Sequence, residues 1–76
     1  MFQNFIGKKG DVAVEVVSGH VTITAKDKNG RVLDELRDKG QPTRMAVANV
    51  IEKTDVCPVK VSVMVEDTIR KQAYRC

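Results

Sequence analysis

A chain of 76 residues is long enough for one small domain. Hydrophobic residues make up 42% of it and charged residues 30%, which argues against a disordered chain, and no apolar run approaches the roughly 20 residues that span a bilayer. The net charge of +3 arises from interleaved basic and acidic residues, so it favours an anionic partner only weakly. No secretory signal is visible, and we expect a cytoplasmic protein.

The N-terminal segment, residues 1–10, contains both phenylalanines of the chain. Phe2, Phe5 and Ile6 are spaced i, i+3, i+4, so one helical turn would place them on a single face. Two glycines then interrupt the pattern. Two interpretations stay open: these side chains cap an open end of the core, or they form an apolar docking arm, because aromatic anchors are frequent at interface hot spots.

An antiparallel hairpin follows. Valine alternates with other residues over Asp11–Val17, and apolar residues alternate again over Val21–Lys26, so each run has one apolar face. The short link Ser18-Gly19 joins the two runs as a hairpin turn would. His20 lies next to this turn without neighbours that would complete a catalytic or metal-binding set, and we interpret it as a surface residue.

A third strand is predicted over Arg31–Arg37, because Asn29-Gly30 is a strong hairpin signal. Leu33 and Leu36 also suit a short amphipathic helix, which remains the alternative. The carboxylates of this segment are interpreted as a solvated acidic patch, and we predict no metal site.

A helix is predicted over about Pro42–Lys53. Proline suits the first turn of a helix, where its missing N–H costs nothing. The apolar stripe that would cover the sheet consists of Ala46, Val47, Val50 and Ile51.

Pro58–Glu66 is predicted as the strand that anchors the core. Valine occupies every odd position from Val59 to Val65, and alternate side chains of a strand point to the same face, so all four valines would lie together. The tail after this strand is either a short helix that carries Ile69, which we favour, or a fifth strand through Tyr74.

These elements predict an α+β fold for a single domain over residues 1–76. It has two layers, with a mainly antiparallel sheet of three to five strands and one principal helix. The predicted order is β-β-β-α-β, followed by the C-terminal helix or strand.

Three strands followed by a helix, over about Asp11–Lys53, resemble the later part of a double-stranded-RNA-binding domain. That family holds phosphates with a basic cluster at the start of its second helix, where this chain has Arg44 alone. Its first helix is either missing here or reduced to Met1–Ile6. The resemblance implies a nucleic-acid-binding alternative. Its electrostatic candidates are Lys8, Lys9, Lys26, Lys28, Arg31, Arg70, Lys71 and Arg75.

The favoured hypothesis is a non-enzymatic protein that binds a protein partner. One histidine, no Ser-His-Asp set and no phosphate-binding glycine loop give no catalytic candidate, and no cofactor is predicted. The two cysteines, Cys57 and Cys76, are interpreted as reduced thiols. The candidate docking residues are Phe2, Phe5, Ile6 and Met64.

Association with a second copy is a further expectation, because a small core gains stability when an edge strand pairs. In its small size and its lack of catalytic motifs the chain is similar to the small accessory and inhibitor proteins of bacteriophages and mobile elements, such as anti-CRISPR proteins. Those proteins act by occupying a macromolecular surface, and the similarity implies the same mode of action here.

Overall fold

The structure, a computed structural model, describes residues 1–73 as a four-stranded antiparallel sheet with two helices on one face. The strands, in both chain and sheet order, are β1 (Phe2–Ile6), β2 (Gly10–Val17), β3 (His20–Asp27) and β4 (Val32–Lys39). The helices are α1 (Arg44–Ile51), which a 3-10 turn at Glu52–Thr54 follows, and α2 (Pro58–Ala73). The predicted α+β class with an antiparallel sheet is confirmed. Within residues 1–73, neither helix has the length and apolar character needed to cross a membrane.

The central hairpin forms as its alternation predicts. β2 and β3 pair antiparallel with Val14 opposite Ile23, and Ser18 and Gly19 form the turn with φ angles of 49° and 80°. Positive φ at both turn residues matches the right-handed twist of the two strands. The inward side chains are buried: Val12, Val14, Val16, Val21, Ile23 and Ala25.

The third predicted strand, Arg31–Arg37, is confirmed as β4, and the helical alternative is wrong. The turn before it is organised by the Asp27 carboxylate, which accepts hydrogen bonds from the backbone N–H groups of Asn29 and Arg31, both at 2.9 Å. This side-chain bonding is what makes Asp a turn-forming residue.

The helical turn predicted for Phe2, Phe5 and Ile6 is wrong, because the segment is strand β1 at one edge of the sheet. A tight turn connects β1 to β2, closed by a hydrogen bond of 2.9 Å from the Gly7 N–H to the Gly10 carbonyl. The first ten residues are therefore part of the sheet rather than a separate arm.

The predicted helix over about Pro42–Lys53 is confirmed as α1 with its 3-10 extension. Thr43 caps its N-terminus, because the Thr43 Oγ1 accepts a hydrogen bond of 3.1 Å from the Ala46 N–H. The buried face of α1 consists of Val47, Val50 and Ile51, as the apolar stripe predicts.

The strand predicted at Pro58–Glu66 is wrong, because this segment is the first half of α2. The four valines do not share a face. Val61 and Val65, four residues apart, are buried against the sheet, whereas Val59 and Val63 are 55% and 44% exposed.

The apolar pattern of α2 continues beyond the valines, which is the physical reason for the helix. Thr68 is buried and Ile69 packs against the core. The buried face of α2 that begins at Val61 therefore extends over several helical turns. The favoured C-terminal helix is thereby confirmed as the second half of α2. Tyr74, where the alternative strand would end, lies outside the described residues.

Candidate functional site

An apolar groove lies between the N-terminal halves of α1 and α2, on the helical layer. We call it the interhelical groove, and its walls are Arg44, Met45, Ala48, Pro58, Val59 and Ser62. Its volume is about 330 Å³, and its surface is almost entirely apolar. Met45 is 75% exposed, although a large apolar side chain gains most when it is buried.

Both groove helices carry apolar residues where acidic residues usually stand. The first turn of a helix has unsatisfied N–H groups and the positive end of the helix dipole, so Asp and Glu stabilise it. The first turns of α1 and α2 contain no acidic residue, and they expose Met45 and Val59 instead. Helix stability therefore does not explain the choice of these two residues.

An ion pair at the rim joins the two helices that form the groove. The Arg44 guanidinium donates from Nε to Glu66 Oε2 and from Nη2 to Glu66 Oε1, both at 3.0 Å. The hydrogen bond and the charge of Glu66 raise the pKa of Arg44, and the hydrogen bond from Arg44 lowers the pKa of Glu66. This fork geometry links α1 and α2 at the rim of the groove.

A more polar cleft of about 460 Å³ adjoins the groove and shares Ala48 and Pro58 with it. Its wall includes Cys57, whose thiol is free and exposed. Hydrogen bonds from the backbone N–H groups of Lys60 and then Val59, at the start of α2, lower the pKa of this thiol. Cys76, the second cysteine, lies outside the described residues. Among residues 1–73, no three His, Cys, Asp or Glu side chains are placed to hold a metal ion.

The four candidate docking residues do not form one surface. Phe2 and Ile6 are 61% and 82% exposed, on the sheet face opposite the helices. Phe5 points to the other face, and both Phe5 and Met64 are partly buried against the core. Phe2 and Ile6 remain available for contact, whereas Phe5 and Met64 contribute mainly to packing.

The candidate basic residues divide between the two ends of the sheet. One group lies at the end where Gly10 pairs with Asp27, and it consists of Lys8, Lys9, Lys26, Lys28 and Arg31. Arg70 and Lys71 are in the last turn of α2, near the other end, because the neighbouring Gln72 side chain donates to the Val16 carbonyl. Lys28 is also paired with Asp11 at 3.1 Å. Arg75 lies outside the described residues.

The groove residues Met45 and Val59 were not predicted as a site. Val59 was assigned to the core with the other valines, so its exposure depends on the helix that the alternation concealed. A helical interpretation of Pro58–Glu66 would have placed Val59 and Val63 opposite the buried pair Val61 and Val65.

No protein-family model matches the chain, and comparisons with curated proteins and with solved structures find no significant match. The order of strands β2 to β4 followed by α1 agrees with the double-stranded-RNA-binding resemblance. The N-terminal segment differs, because it is strand β1 where that family has a helix. Function therefore has to be argued from the surface itself.

Proposed function

We propose that this chain is a small non-enzymatic protein that binds a partner protein through the interhelical groove. The observation that carries the proposal is the exposure of Met45 and Val59 over apolar walls, at helix positions where acidic residues would stabilise the fold better. Contiguous exposed apolar surface marks interaction sites in soluble proteins. Methionine adapts its shape to a partner, which suits it to such a surface.

The groove fits an apolar ridge, such as one face of an amphipathic helix of the partner. Val63, one helical turn after Val59, extends the apolar surface along α2. The protein would act by occupying the partner's surface, as accessory and inhibitor proteins of phages do.

The test compares Met45→Glu and Val59→Glu with the control Val32→Glu in affinity capture from a lysate of the source organism. Both groove variants place an acid in a first helical turn, so their folds should be retained, which circular dichroism checks. Val32 is an exposed β4 residue opposite Lys26, where Glu is also tolerated. We expect the groove variants to retain a captured protein at least about tenfold less well than the wild type and the control. Equal capture by all variants would contradict the proposal.

Nucleic-acid binding is the second candidate, and the group of five basic residues at one end of the sheet favours it. In this case labelled DNA or RNA would bind with an affinity that falls steeply with salt, because bound phosphates release counterions. The double variant Lys8→Glu, Lys9→Glu would abolish this binding and Met45→Glu would leave it unchanged. Lack of binding at low salt would exclude this candidate.

A further inference from the structure

β1 is a free edge of the sheet, because within residues 1–73 it pairs only with β2. The hydrogen bonds at its two ends fix which residues face that edge. The Met1 amine donates to the Val16 carbonyl at 2.7 Å, and the Val16 N–H donates to the Met1 carbonyl at 2.8 Å. At the other end, the Gly7 N–H donates to the Gly10 carbonyl at 2.9 Å.

Bonded and non-bonded residue pairs alternate along antiparallel strands. Since Met1 and Gly7 bond to β2, the odd residues between them do so as well, and the even residues face away. The N–H and carbonyl groups of Phe2, Asn4 and Ile6 therefore point out of the sheet edge, with their side chains on the face opposite the helices.

We propose that a second copy of this chain pairs with β1 in antiparallel orientation, about a two-fold axis at Asn4. In this register Asn4 lies opposite Asn4 of the other copy, Phe2 lies opposite Ile6, and Gln3 lies opposite Phe5. All the free backbone groups of Phe2, Asn4 and Ile6 then gain partners, and the two sheets become one. The proposal is independent of the interhelical groove, which lies on the helical layer.

The side chains of β1 favour a second copy over other occupants. The strand contains no charged side chain, so pairing of Phe2–Ile6 with itself brings no like-charged side chains opposite each other. The two exposed apolar residues of the strand cover each other, because Phe2 and Ile6 of the two copies face each other on the same side. The partly buried Phe5 gains the aliphatic part of Gln3 as additional cover.

The other edge is charged where β1 is not. The Gly40 N–H bonds to the Gly19 carbonyl at 2.7 Å, so by the same alternation Glu35, Arg37 and Lys39 face the free edge of β4. A two-fold axis at the centre of that row would place Arg37 directly opposite Arg37. We therefore assign the pairing between two copies to β1 and not to β4.

A five-residue strand gives a small interface, below the roughly 1,200 Å² that stable complexes usually bury. We therefore expect a reversible dimer with a dissociation constant in the micromolar range. Sedimentation velocity at rising protein concentration should show the conversion from monomer to dimer. A protein that stays monomeric at millimolar concentration would overturn the proposal.

The charge variant Asn4→Lys places two like charges at the proposed axis. The monomer should tolerate it, because Asn4 is exposed and its diagonal neighbours on β2 are Asp11 and Glu15. We expect dimerisation to weaken at least about fivefold. The control Thr24→Lys adds the same charge on the same face, opposite Glu35 and two strands away from β1, and should dimerise like the wild type. Unchanged dimerisation of Asn4→Lys would overturn the register.

Cysteine cross-linking tests the axis directly, in a background with Cys57→Ser and Cys76→Ser. Asn4→Cys would place two Cα atoms about 5.5 Å apart, within the range of a disulfide. Phe2→Cys would place its two Cα atoms about 14 Å apart, too far for one. Oxidation should give a covalent dimer of the first variant only, and equal yields from both would overturn the proposed pairing. Met45→Glu should leave dimerisation unchanged, so this test stands apart from that of the groove.

Discussion

The two edge strands of the sheet present different surfaces to an approaching chain. β1 has five residues without a charge, and its most exposed side chains are Phe2 and Ile6. β4 has eight residues, of which the charged ones are Asp34, Glu35, Arg37, Asp38 and Lys39. Its register against β3 also shifts between Ala25 and Lys26. Charges and irregular register are the features by which sheet edges avoid pairing, so β4 is protected and β1 is not.

The turns that lead into the two edges differ as well. A Cβ added at Gly7 would meet the Thr54 carbonyl, and one added at Gly10 would meet the Lys26 carbonyl. Gly30, in the turn before β4, has open space around it. The unprotected edge is therefore the one whose turn packs against the rest of the fold. β1 is held in place as a defined surface, which is what selective pairing requires.

The largest expected effect on stability comes from adding a side chain at Gly10, in the turn between β1 and β2. Gly10→Ala should lower the free energy of unfolding by about 3 kcal/mol or more, because the new methyl group overlaps a backbone carbonyl that belongs to a central strand. Gly30→Ala should cost about 1 kcal/mol, from its φ of 85° alone. Urea unfolding of both variants measures the difference. Equal losses would mean that the two turns are packed alike.

The second prediction separates the two phenylalanines of β1. Phe5→Ala should lower the free energy of unfolding by about 2 kcal/mol, because Phe5 packs against the core but is only partly buried. Phe2→Ala should change monomer stability by less than about 0.5 kcal/mol and weaken dimerisation instead. Urea unfolding at low protein concentration, combined with sedimentation at high concentration, distinguishes these effects. A large stability loss for Phe2→Ala would show that β1 is packed differently.

The difference between the two edges was only partly predictable from sequence. The alternation over Asp11–Val17 and the Asn29-Gly30 turn predicted the central hairpin and β4 correctly, because a half-buried strand has a period of two. β1 was missed because a spacing of i, i+3, i+4 within six residues fits one helical turn as well as a strand. The glycines at both ends of the turn were the available signal for a hairpin.

The same ambiguity concealed the groove. Four alternating valines fit one strand face, but Val61 and Val65 also begin a helical pattern that runs on to Ile69. The local pattern could not decide between them, since a short apolar run satisfies both periods. Tertiary packing selects the helix. α1 has only eight residues, so the inward face of the sheet needs a second helix to cover it. Exposure of Met45 and Val59 follows from that packing and could not be predicted without it.

The third prediction makes β4 resemble β1. Replacing Glu35, Arg37 and Lys39 by threonine removes the charges from its free edge while favouring the strand. This variant and its control are made in a background with Asn4→Lys, which weakens pairing through β1. We expect the threonine variant to associate at concentrations where Asn4→Lys alone is monomeric, as measured by light scattering and sedimentation. A matched control replaces Lys60, Asp67 and Lys71, exposed residues of α2 with the same charges, by glutamine. If the control associates equally, loss of charge rather than the free edge is the cause.

The smallest expected effect concerns the link between the helices that cover the two halves of the sheet. α1 contacts β3 and β4, α2 contacts β2, and the Arg44–Glu66 ion pair joins them. Arg44 lowers the pKa of Glu66 below its ordinary 4.5, so the stability from this carboxylate is present above that value. It is lost as the pH falls through the lower pKa of the folded state.

Glu66→Gln should therefore be slightly less stable than the wild type between about pH 5 and pH 7, and the difference should close under more acidic conditions. Urea midpoints across this range measure it, with Asp67→Asn as a control, because the Asp67 carboxylate forms an ion pair within its own helix, with Arg70 at 3.8 Å. A difference that persists unchanged in acid would assign the effect to packing rather than charge. A difference that closes would show that the charge of Glu66, through its ion pair with Arg44, links α1 to α2.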